Sequence, residues 1–170
     1  MASVTTAWYD AQQTCFEYLL TETGSTKGVN GFIGDRLPDN KANLWCFIVS
    51  GGPTQIQNYQ APKPGSRYLT NGILRAQYEK LEDLMSLGSL IQQNMPAYKD
   101  LENPGQASGH VKNRGIPPNV SMFEVTTHPE IFSDVVEIKK QGSGDKEELV
   151  LKTYWIMVVS FRIAYTNEKQ

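Results

Sequence analysis

The sequence predicts an α+β fold: a single antiparallel or mixed β-sheet, two helices packed on one face, and a long C-terminal strand. Three observations carry this. Leu149 to Tyr165 reads LVLKTYWIMVVSFRIAY, without Gly or Pro, and one of its two alternating phases is almost wholly apolar. That phase is Leu151, Thr153, Trp155, Met157, Val159, Phe161, Ile163 and Tyr165, the period-two signal of a half-buried strand. Two other stretches have apolar residues at helical spacing. The remaining strand signals come in groups rather than alternating singly with helices, which points to α+β and not to a parallel α/β sheet.

Taken in order, the first element is a helix from Thr6 to Leu20, with Trp8, Ala11, Cys15, Tyr18 and Leu19 on one stripe. Residues 21–43 turn polar and glycine-rich and read as a long loop. Leu44 to Val49 (LWCFIV) is a strand buried on both faces, closed by Ser50, Gly51 and Gly52. Residues 51–66 hold three glycines and three prolines and read as an irregular hairpin loop. Arg67 to Tyr78 is the returning strand, with Gly72 marking a bulge. Lys80 to Met95 is the second helix, its stripe formed by Leu81, Leu84, Met85, Gly88, Ile91 and Met95, and Pro96 stops it. A second long polar segment spans 97–118. Val120 to Thr127 and Phe132 to Lys140 are strands, and 141–148 is a charged hairpin tip leading into the terminal strand. The order is α–β–β–α–β–β–β, in one domain covering residues 1–170.

The terminal strand is unusually long. Extended at ~3.3 Å per residue it spans roughly 55 Å, against five or six residues for an ordinary strand. It therefore bends at a bulge or projects beyond its own domain, where open backbone groups and apolar side chains invite another subunit.

Composition narrows the partners. A chain of 170 residues, 39% hydrophobic, has enough apolar residues for a real core, and its net charge of −2 gives no basic footprint for nucleic acid or an anionic membrane. No apolar run approaches the ~20 residues a bilayer needs, and the first residues do not read as a signal peptide. Cys15 and Cys46 sit in apolar patterns and read as buried thiols. With no export signal, the Asn119–Ser121 sequon carries no weight.

Searches for catalytic chemistry find no pattern. Gly28, Gly31 and Gly34 form GxxGxxG ahead of a strand, lacking the strand–turn–helix context that brings a helix N-terminus to a pyrophosphate. His110 and His128 lie in or beside loops, far in sequence from either cysteine, so no metal-ligand spacing exists. A buried thiol is a poor nucleophile, and no carboxylates are paired for acid–base work. Aromatic residues such as Tyr59, Tyr154 and Tyr165 lack the positive groove that base stacking requires and are better explained by core and subunit packing.

In this element order the chain resembles the tail-terminator (neck) proteins of tailed bacteriophages. The likeness rests on the first helix, a loop carrying Gly34-Asp-Arg-Leu-Pro38, the strand Leu44–Val49 with its long hairpin, the second helix, and a closing strand ending Phe161-Arg-Ile-Ala-Tyr165. It implies a non-enzymatic virion protein without cofactor or metal, assembled in the host cytoplasm. Such subunits form a ring, typically hexameric, that caps the head-proximal end of the tail tube, stops its growth and joins it to the head-completion protein. DNA only passes through the lumen. Tyr59, Arg67, Gly142, Asp145, Lys146, Tyr154 and Arg162 are the candidate contacts to neighbouring subunits or partners. The alternatives are another head–tail joint or tail-tube subunit, and, in a different class, a small cytosolic enzyme or ligand-binding domain.

Overall fold

The long apolar run becomes the strand on which the rest of the sheet is assembled. The computed structural model describes residues 4–38, 41–55, 67–94, 120–126, 128–141, 144 and 147–166. They form α1 (Val4–Thr23), β1 (Gly31–Ile33), β2 (Leu44–Gln55), β3 (Arg67–Tyr78), α2 (Leu81–Asn94), β4 (Val120–Val125), β5 (Glu130–Gln141) and β6 (Glu147–Thr166). The α+β class, the two helices and the long closing strand are as the sequence predicts.

One mixed sheet runs β1-β2-β3-β6-β4, with β5 also paired to β6. β1 lies parallel to β2, and all other pairs are antiparallel. β6 is flanked on one side by β3, which pairs with Trp155 to Thr166. On the other side β4 pairs with 161–165 and β5 with 147–158, so these two strands lie end to end along the same edge. The Thr126 amide bridges the break between them, donating to the Ser160 carbonyl at 2.9 Å.

Both helices cover the same face. The odd-numbered residues of β6 from Met157 to Tyr165 are buried there, beside Trp45, Phe47, Leu74, Ala76 and Phe123. Phe161 sits at the centre, its ring 5.9 Å from that of Phe47 and 4.9 Å from that of Phe123. α1 contributes Ala7, Ala11, Cys15, Phe16, Tyr18 and Leu19 to the core, the expected stripe widened by Ala7 and Phe16. It ends at Gly24, whose φ of 65° lets the Ser25 amide turn back to the Leu20 carbonyl at 2.9 Å. α1 also guards the edge of β2 where β1 stops: the Val49 amide donates to Gln12 Oε1 at 3.0 Å.

Several sequence expectations need correction. The loop 21–43 contains β1, three residues too short to show a period. Gly31 is required there, because a Cβ would lie 2.6 Å from Leu20 and 2.8 Å from the Trp45 ring. The stretch 51–55 is not irregular loop but the end of β2. It accommodates its glycines and proline in a bulge, with Gly51, Gly52 and Pro53 facing only Thr70 between the pairs Ser50–Asn71 and Thr54–Leu69. Gly72 marks no bulge. It is glycine because a Cβ would come 2.7 Å from the Phe47 ring. On α2, Leu87 is buried and Met85 exposed, the reverse of the expected assignment for Met85. β6 has no bulge either, since its register with β3 and β5 is unbroken. Residues 56–66 and 97–118 lie outside the described residues.

Candidate functional site

β6 is longer than β3, and the difference creates the most distinctive surface of the molecule. β3 stops at Tyr78, opposite Trp155, and the chain then turns into α2. Residues 147–154 continue past that point, paired with β5 and, among the described residues, with no other strand. At ~3.3 Å per residue this two-stranded arm extends about 25 Å beyond the body. Of the two outcomes the sequence left open, a bend or a projection, the strand takes the second.

The arm changes how its apolar phase is used. Within the body that phase is core. On the arm, the same phase places Leu149 and Leu151 at 65% and 67% exposure, with Val135 of β5 at 57%. Thr153 is exposed as well. The expectation that Leu151 and Thr153 lie on a buried face is therefore wrong, because the helical layer ends before reaching them. Trp155, half-buried against the core, marks the boundary.

At the base of the arm, Lys152 forms an ion pair with Glu79, the residue just after β3, and its ammonium lies 5.4 Å from the centre of the Tyr154 ring. Both charges are partly exposed, so this contact positions more than it stabilises. Tyr154 itself is fully buried on the face opposite the helices, and its hydroxyl has no hydrogen-bond partner among the described residues. Tyr154, expected as a contact to a neighbouring subunit or partner, is thus a buried residue at the base of the arm. Arg162, by contrast, is exposed on that same face, 3.8 Å from Glu124 across the β4–β6 pair. Arg67 opens β3 opposite Thr166 at the far end of the sheet. Tyr59, Gly142, Asp145 and Lys146 lie outside the described residues.

The face away from the helices carries a cleft of about 350 Å³ lined by Gly34, Asp35, Cys46, Ile48, Ile73 and Arg75, among others. The Cys46 thiol is pushed up to about 11 by burial, which outweighs the lowering pull of the Arg75 guanidinium. The thiol is protonated at neutral pH and unsuited to nucleophilic attack. Gln77 holds the edge of this region in place, donating to the carbonyls of Pro38 at 3.2 Å and Lys41 at 2.7 Å. Among the described residues no group of three His, Cys, Asp or Glu is placed to hold a metal ion. No helix among them is long and apolar enough to cross a membrane.

Sequence reasoning missed Leu149 and Val135 as surface residues. The signal was present in the unequal lengths of the strand patterns: a run of seventeen residues from Leu149 to Tyr165 against twelve from Arg67 to Tyr78 leaves the longer strand without a partner on that side. Compared with protein-family models and with curated proteins, the chain matches none.

Proposed function

We propose that this protein is a structural ring subunit, of the kind that caps the head-proximal end of a phage tail tube, stops its growth and joins it to the head-completion protein. The observation that carries the reading is the arm of residues 147–154, held away from the body with Leu149 and Leu151 two-thirds exposed. An apolar two-stranded projection is costly in a subunit that stays alone, because it invites edge-to-edge association. It is useful in one that assembles. The element order and loop character that resemble tail terminators supply the specific role, and self, tail-tube protein and head-completion protein are the partners it entails.

Light scattering after size exclusion tests the assembly, and a polymerisation assay tests the role. A closed oligomer of the 19.0 kDa chain, near six subunits, is the expected mass. Added to polymerising tail-tube protein, it should shorten the tubes and appear at one end only. Tubes of unaltered length, with no end-bound protein in electron micrographs, would remove the terminator role.

A further inference from the structure

We infer that the arms join by β-sheet addition between copies, the open edge of β6 in one subunit receiving the open edge of β5 in the next. The inference rests on the ring reading above and specifies its contact. In an antiparallel strand each residue points its N–H and C=O to the same side, and successive residues alternate. The Ser160 carbonyl accepts from Thr126 on the β4/β5 side. Because β6 keeps one unbroken register from Glu147 to Thr166, its even-numbered residues bond toward β4 and β5 and its odd-numbered residues toward β3. Past the end of β3, the odd residues Leu149, Leu151 and Thr153 point their backbone groups at an edge with no strand among the described residues.

The same alternation applies to β5. Its even residues pair with even residues of β6, beginning at Glu130–Val158, so Ile131, Ser133 and Val135 turn their backbone groups outward. The arm thus has two open edges of opposite strand direction. Identical arms set side by side around an axis meet β6 to β5, antiparallel, with odd residues facing odd. A contact of this kind is head-to-tail and closes into a ring when the rotation divides the circle.

The side chains fit the same pairing. Leu149, Leu151 and Val135, whose backbones face the two edges, are all exposed on the helix side of the arm. At level registration Thr153, Leu151 and Leu149 would come opposite Val135, Glu137 and Lys139 of the next copy, covering the two exposed leucines at the joint. On the other face, β6 carries the partly exposed ammonium of Lys152, paired with Glu79, and β5 the exposed carboxylates of Glu130 and Asp134. At level registration, Lys152 falls diagonal to Asp134 of the next copy, an attractive cross-strand placement. A strand from an unrelated protein would fill one edge and leave the other open. Copies on either side, closed into a ring, fill both.

Proline scanning reads this out. Leu151→Pro deletes an amide that points to the open edge and spares the hairpin's own bonds, whereas Lys152→Pro deletes one that bonds β5. Light scattering should give a closed oligomer for the wild type and a monomer for Leu151→Pro, with an unchanged circular-dichroism spectrum. Oxidative cross-linking gives an independent check, since the native thiols are buried. Leu151→Cys mixed with Glu137→Cys should yield disulfide dimers, and Leu151→Cys alone should not. If Leu151→Pro keeps the wild-type oligomeric mass, or if Leu151→Cys cross-links to itself, edge pairing of this kind is wrong while the ring reading survives on other surfaces. A wild-type chain that stays monomeric across the concentration range overturns both.

Discussion

Tyr154 shows how a single buried side chain carries a stability effect that can be measured. Placed among the candidate contacts, it is fully buried, and its hydroxyl has no hydrogen-bond partner among the described residues. A buried hydroxyl without a hydrogen bond costs about 1–3 kcal/mol of desolvation. Tyr154→Phe is therefore expected to raise stability by ~1 kcal/mol, which urea denaturation would detect as a higher midpoint at unchanged slope. A lowered midpoint would mean the hydroxyl has a partner in solution. Titration at high pH addresses the other buried groups. Burial pushes the Cys46 thiol up to about 11 and the Tyr165 phenol up to about 12, and raises Tyr78 as well. Their ordinary values are 9.0 for the thiol and 10.0 for the phenols. The folded chain thus holds these protons more tightly than the unfolded chain. Stability from this source is complete below about pH 9 and falls as pH rises toward 12. Denaturation midpoints measured from pH 8 to 11 should decline; a flat profile would contradict the burial of these groups.

At the level of elements, periodicity located both helices and, apart from the second half of β2, the long strands to within a few residues, because each repeats its pattern over several turns or pleats. It failed where an element is shorter than its own signal, as in β1, or where a breaker sequence is absorbed by a bulge, as at Gly51–Pro53. It also failed to separate the two halves of β6, whose apolar phase is the same from end to end while its surroundings are not. Local sequence cannot report where the covering helices stop; only the packed fold sets that limit. The candidate site was accordingly half legible: the strand was visible, and which of its residues meet solvent was not. A paired substitution tests the division. Phe161→Ala, at the aromatic centre of the core, should cost about 3–5 kcal/mol. Leu151→Thr, in the same phase but on the arm, should stay within ~0.5 kcal/mol in the monomer. Equal losses in denaturation of monomeric protein would place the arm inside the core.

For the whole molecule, the order in which the sheet is completed has a consequence for synthesis. β6 is the shared neighbour of β3, β4 and β5, and it follows all of them in the chain. Until it emerges from the ribosome, β4 and β5 have no strand to pair with, and β3 has only β2. The two helices meanwhile lack the apolar row of Met157, Val159, Phe161 and Ile163 that completes their floor. Closing so many distant contacts with one late segment makes folding slow and exposes unpaired strands beforehand. A chain halted after residue 146 should be degraded by dilute protease at conditions where the chain through residue 166 survives; equal resistance would show that the earlier elements fold without it. The open edges of the arm, through which we propose that copies join, come into being only when β6 completes the sheet. On that proposal association would be timed to follow completion, because an unfinished chain has no arm to offer.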